Sequence, residues 1–75
     1  MAEVRLPKPG DAITEATIVA LVVTDGAHVD EGAPLYEIET DKVEMAIDAP
    51  ASGTVRWHVA EGEVYDVGTL VAEID

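Results

Sequence analysis

The sequence contains no cysteine, so no disulfide framework and no cysteine-bound metal can brace it. Basic residues are scarce: four Lys plus Arg stand against sixteen Asp plus Glu, a formal charge of −12. Nucleic acids and anionic membranes attract basic patches, so neither is expected as a partner. Copies of so acidic a chain repel one another, and a monomer is expected. No run of about 18 apolar residues is present, which excludes a transmembrane helix. Met1–Arg5 lacks the basic and apolar segments of a signal peptide. The expectation is a cytoplasmic protein, or one of an organelle matrix if a transit peptide has been removed. Aromatics are few and dispersed; Tyr36, Trp57 and Tyr65 suit packing better than base stacking. No Gly-rich phosphate cradle occurs. His28 and His58 have no metal-ligand spacing and no Ser-His-Asp grouping around them, so they read as surface histidines. No catalytic residue and no metal site is expected.

At 75 residues one domain is expected, spanning 1–75. A chain this short buries only about 60% of its unfolded surface. Its stability must come from a compact apolar core, and 48% hydrophobic residues supply one. The apolar residues alternate with polar ones in short runs. Val4 and Leu6 end at Pro7 and Pro9, and Lys8–Thr14 reads as a loop. Thr17–Val23 is continuous and rich in β-branched residues, predicting a strand buried on both faces. Further strands are predicted at Pro34–Glu39, with Leu35 on a different face from Tyr36 and Ile38, and at Val43–Asp48, Val55–Val59 and Leu70–Ile74.

The chain also repeats itself. At an offset of 36, Asp25-Gly26 matches Glu61-Gly62 and Gly32 matches Gly68. Val19, Leu21 and Val23 match Val55, Trp57 and Val59 at the same offset. The opening strands match at 41, pairing Leu6 with Ile47 and Pro9 with Pro50, which gives the first half five extra loop residues. Two similar all-β halves predict a small sandwich or flattened β-barrel with pseudo-two-fold symmetry.

The two halves meet at Glu39-Thr40-Asp41-Lys42-Val43-Glu44-Met45, which holds one of two lysines. Two alternating runs joined by a few polar residues read as a hairpin with Asp41 and Lys42 at its tip. A lone amine on such a turn is well placed for modification by another enzyme. A lysine amine is protonated at neutral pH, so the modifying enzyme must deprotonate it. The acidic row Glu37, Glu39, Asp41, Glu44 and Asp48 does not converge as calcium ligands do; it reads as a solvated face. Lys8, beside Pro7 and Pro9, reads as a plain solvated charge.

Glu39-Thr40-Asp41-Lys42-Val43 resembles the attachment motif of lipoyl domains, the carrier modules of 2-oxoacid dehydrogenase complexes. The resemblance covers essentially the whole chain, including Gly53 eleven residues after the lysine. It implies two four-stranded antiparallel sheets and lipoic acid in amide linkage on Lys42. It also implies that Glu39, Asp41, Val43 and Glu44 help a lipoate ligase or lipoyltransferase recognise the lysine. The implied partners are a thiamine-diphosphate 2-oxoacid decarboxylase, an acyltransferase core and a dihydrolipoyl dehydrogenase. The loop residues Gly10, Asp11, Ala12, Ile13 and Thr14 resemble the family's loop that helps choose the decarboxylase. Gly10–Ala16 looks somewhat closer to 2-oxoglutarate-type domains than to pyruvate-type ones. The chain fits either a free-standing carrier or one module of a multidomain acyltransferase.

Two other readings stand beside this one. Biotin carriers of carboxylases share the fold but flank their lysine with methionines, whereas Asp41 and Val43 flank Lys42. The glycine-cleavage carrier is a longer relative with a different motif. An unmodified acidic interaction domain is the reading from another class, and intact mass separates it from both carriers.

Overall fold

The computed structural model describes residues 2–75. Eight strands follow the punctuation of the sequence: β1 (Ala2–Arg5), β2 (Glu15–Leu21), β3 (His28–Val29), β4 (Pro34–Glu39), β5 (Glu44–Asp48), β6 (Gly53–Trp57), β7 (Val64–Asp66) and β8 (Leu70–Ile74). They form two four-stranded antiparallel sheets, ordered β1-β8-β6-β3 and β5-β4-β2-β7. The inward residues of both sheets share one core, with Val4, Leu6, Val55, Val71 and Ile74 from one side and Ile18, Leu35, Tyr36 and Ile38 from the other. The expected sandwich of two sheets is what forms; the sheets do not close into a true barrel. β3 and β7 span two and three residues, too short for alternation to reveal them.

Exchanging β1 with β5, β8 with β4, β6 with β2 and β3 with β7 turns one sheet order into the other. The ladders carry the same symmetry residue by residue. Trp57 faces Ala72 as Leu21 faces Tyr36, an offset of 36. Val55 faces Ile74 as Ile18 faces Ile38, so the offset there is 37. The ladder of β2 shifts register between Ile18 and Ala20, and Val19 is the extra residue. Ile18, not Val19, is therefore the counterpart of Val55. In the opening strands, Val4 faces Ala72 as Ile47 faces Tyr36, an offset of 43. Leu6 thus corresponds to Ala49 and Pro7 to Pro50, which corrects the pairings of Leu6 with Ile47 and of Pro9 with Pro50. The fall from 43 to 37 places six extra residues, not five, in the first half's loop.

The bulge also corrects the burial expected for Thr17–Val23. Ala16 and Ile18 are buried, but Val19 is 45% and Val22 49% exposed. β2 has one core face, and its apolar continuity comes from the inserted valine. A second register shift, between Pro34 and Tyr36, brings Leu35 and Tyr36 both into the core, although alternation puts them on opposite faces.

Two aromatics that looked dispersed meet in space. Tyr36 and Trp57 pack edge to face, with ring centroids 6.0 Å apart and planes at 83°. The Trp57 Nε1–H donates to the Val23 carbonyl at 2.8 Å, which satisfies the indole. The Tyr36 hydroxyl is buried without a hydrogen-bond partner among the described residues. Desolvation by burial pushes its phenol up to about 12. An unpartnered buried hydroxyl lowers stability, so Tyr36→Phe is expected to leave stability unchanged or raise it by about 1 kcal/mol. Urea unfolding measures this, and a loss of about 1 kcal/mol or more would show that the hydroxyl is in fact satisfied.

Candidate functional site

From Tyr36 onward β4 and β5 keep one register up to the hairpin, with Ile38 facing Met45 and Glu39 facing Glu44. Beyond that pair the Thr40 N–H donates to the Val43 carbonyl at 2.8 Å. Asp41 and Lys42 form the tip of the loop, and both are exposed, as is Val43 beside them. No non-glycine residue described has a positive φ, so this loop is neither of the primed turns that hairpins favour. The expected placement of Lys42 at an exposed tip is what the structure shows. Among the described residues the Lys42 amine takes part in no ion pair, although acids surround the tip.

Strand alternation turns Glu37, Glu39 and Glu44 outward together. The facing carboxyls of Glu39 and Glu44 interact. The side-chain hydrogen bond with Glu44 is the first cause, the like charge of Glu44 the second, and together with slight desolvation they raise the Glu39 pKa above its ordinary value. A carboxyl whose folded pKa is raised binds more protons folded than unfolded. Stability from this pair is therefore highest below the ordinary value of 4.5 and falls as pH rises through the raised one. Glu44→Gln is expected to raise the melting temperature at pH 7 more than at pH 4. An equal shift at both would show that the carboxyls do not interact.

The hairpin borders two open clefts. One, of about 500 Å³, is lined by Thr17 and by Glu39 through Glu44, Lys42 included. The other, about 360 Å³, joins Ala12, Ile13 and Thr14 of the β1–β2 loop to Glu39, Thr40 and Asp41. The structure thus brings three of the five loop residues beside the lysine turn. Gly10 and Asp11 do not line either cleft; the Gly10 carbonyl instead accepts from the Ile13 N–H at 3.2 Å and closes the loop's own turn. No group of three or more metal-ligating side chains occurs among the described residues. His28 and His58 are exposed on the other sheet, bonded to Asp30 at 2.9 Å and Glu73 at 2.8 Å.

Two site residues were given no role by the sequence alone. Thr40 lines both clefts with its Oγ1 buried and without a partner among the described residues. Val64 is 53% exposed at the wall of the 360 Å³ cleft, placed there by the pairing of Thr17 with Val64. The only hint of it is the alternation of Val64 and Asp66 about Tyr65.

A free amine on a two-residue loop, at the end of an in-register hairpin, fits a covalently attached acyl group that must reach outward. Comparison with known proteins agrees. The family described as "Biotin-requiring enzyme", the biotin/lipoyl family, matches residues 2–74. A dihydrolipoyllysine-residue acetyltransferase component of the pyruvate dehydrogenase complex from Corynebacterium glutamicum is 37% identical over 96% of this chain, which spans 11% of that protein. Acetyl-CoA carboxylase 2 from Oryza sativa subsp. japonica is 38% identical over 85% of the chain, which spans 3% of it. The solution structure of the lipoyl domain of the 2-oxoglutarate dehydrogenase complex from Azotobacter vinelandii superposes with a TM-score of 0.81 at 26% identity, covering 97% of this chain and 94% of that one. With its two-sheet fold, its lysine-tipped hairpin and these likenesses, the chain belongs to the biotin/lipoyl family and is a lipoyl-type carrier domain.

Proposed function

We propose that Lys42 carries lipoic acid in amide linkage and that the domain is the swinging carrier of a 2-oxoacid dehydrogenase complex. The observation that carries this reading is the exposed Lys42 at the hairpin tip, in no ion pair among the described residues and flanked by Asp41 and Val43. In the attachment step Nζ loses a proton and bonds to the acyl carbon of an activated lipoate, and the activating group leaves. Held there by Lys42, lipoate would supply a dithiolane able to accept an acyl group with reduction of its disulfide.

The domain supplies placement rather than catalysis. The hairpin fixes where the arm starts, and Glu39, Asp41, Val43 and Glu44 mark the turn for a ligase or lipoyltransferase. Tethering turns encounters between active sites into intramolecular ones at millimolar effective concentration. A thiamine-diphosphate decarboxylase loads the arm, an acyltransferase core unloads it and a dihydrolipoyl dehydrogenase restores it. The cleft shared by Ala12, Ile13, Thr14 and Thr40 also borders Asp41, the neighbour of Lys42, which supports the β1–β2 loop as a selector. The work of such a domain belongs in the cytoplasm or an organelle matrix.

Biotin is the second reading, favoured by the likeness to a carboxylase. Peptide mass spectrometry of protein made with lipoate and biotin available decides between them. The expected result is one lipoyl group on Lys42 and none on Lys8. Biotin on Lys42, or lipoate on Lys8, overturns the proposal.

A further inference from the structure

The pseudo-symmetry is broken on the outer faces of the two sheets. On the β1-β8-β6-β3 sheet, Glu73 is held by His58 at 2.8 Å and approached by Arg56 at 3.8 Å, while Arg56 also bonds Asp75 at 3.1 Å. These ion pairs cover the surface beside the ladder. At the offset of 36, Glu73 corresponds to Glu37, Arg56 to Ala20 and His58 to Val22. The Lys42 sheet therefore has the acid without either cation. Beside that acid lies a shallow groove of about 260 Å³, lined by Val19, Glu37, Ile38, Glu44, Met45 and Ala46. Val19 is the residue that the bulge adds, and β6 carries no such bulge in its ladder with β8. The groove belongs to the sheet whose hairpin bears the lysine.

We infer that this groove is a resting place for the lipoyl arm of Lys42 itself, a conclusion that builds on the carrier reading above. Glu44 lines both the groove and the cleft that contains Lys42, so the two adjoin at that residue. From Lys42 to Ala46 is four residues, about 13 Å at a strand rise of about 3.4 Å. A lysine stem and acyl chain of about eleven bonds, each about 1.5 Å and zigzagging, spans roughly 14 Å. The ring then falls between Val19 and Ala46. The uncharged dithiolane suits this lining, in which Val19, Ile38, Met45 and Ala46 are apolar and Glu37 and Glu44 repel an anion. A second copy of this chain does not fit, since its net charge of −12 opposes approach to an acidic face. A free small molecule is poorly held in a groove below the roughly 300 Å³ at which ligand pockets begin. A tethered group needs less, because the tether already supplies millimolar effective concentration. Parking keeps the dithiolane off bulk solvent between visits and is weak enough to release it to a partner.

The test compares amide and methyl NMR spectra of the unmodified and lipoylated domain, with intact mass and peptide mapping establishing the lipoyl group on Lys42. Shift differences are expected at Asp41–Val43 and again at Val19, Met45 and Ala46, with nuclear Overhauser contacts between lipoyl protons and the Val19 methyls. Val19→Ser, checked for folding by thermal melting, should abolish the distant differences and leave those at the tip. Differences confined to Asp41–Glu44 in a fully lipoylated sample overturn the groove and leave the carrier reading intact. A lysine that refuses lipoate overturns the carrier reading, and this inference with it.

Discussion

Exchanging the two loop residues, Asp41→Lys with Lys42→Asp, is expected to leave the domain folded and to slow its lipoylation by about a hundredfold or more. The exchange keeps composition and charge. Both residues are exposed, and neither contributes the bond that closes the turn, which runs from Thr40 to Val43. Exposed substitutions of this kind usually change stability by no more than about 0.5 kcal/mol.

The amine nevertheless moves. Neighbouring Cα atoms lie about 3.8 Å apart, and successive side chains of a tight turn leave it in different directions. A ligase must bring Nζ into line with an activated acyl carbon, and a misplacement of about 1 Å can lower a rate by about two orders of magnitude. On the carrier proposal, Glu39 and Glu44, paired across the ladder, would give a ligase a fixed frame against which to measure the lysine. Ligase rates on both proteins, with circular dichroism and melting curves to confirm folding, check the expectation. Equal rates would mean that the ligase reads local charge and not position.

The hairpin that presents Lys42 was legible because its strands alternate cleanly and its loop is polar. The two halves were legible from glycine punctuation, since Gly26, Gly32, Gly62 and Gly68 all take positive φ, which other residues resist. The exact correspondence of the halves was not. A bulge adds one residue without breaking the apolar run, so Val19 looked like the partner of Val55 when Ile18 holds that place. The same insertion made a one-faced strand look buried on both sides. Tyr36 and Trp57 come from different sheets, and no periodicity within a strand reports a contact between sheets. The closeness of Ala12–Thr14 to Thr40 and Asp41 likewise depends on β2 pairing with β4, a long-range choice that local pattern does not encode. What the sequence leaves hidden are therefore the irregularities and the long-range neighbours, and both lie at the candidate site.

Gly53→Ala is expected to destabilise the domain by about 3 kcal/mol, since among its glycines Gly53 is where an added methyl meets the closest contact. Gly53 has φ +154°, and a Cβ built there would lie 2.0 Å from the Asp75 carbonyl oxygen and 3.0 Å from Ile74 Cγ2. The first contact is with backbone, which cannot turn aside as a side-chain end can. Relief would require moving Asp75, whose N–H and C=O both bond Thr54, at 3.0 and 3.1 Å. The symmetry supplies the control. Gly53 pairs with Val29 as Ala16 pairs with Tyr65, so Ala16 is the same site in the other half and accommodates its methyl in the core. Ala16→Gly should cost only about 1 kcal/mol, through lost burial and added backbone freedom. At roughly 0.05–0.15 kcal/mol per residue a domain of this size has about 4–11 kcal/mol in all, so the first substitution removes much of it and the second little. Gly53 sits in the sheet that does not contain Lys42, and the fraction of Gly53→Ala protein that remains folded should be lipoylated at the wild-type rate. Urea unfolding of both variants measures the difference. A loss below about 1 kcal/mol for Gly53→Ala would show that Asp75 yields its position freely, and that the close approach of β6 to the end of β8 is not what requires glycine there.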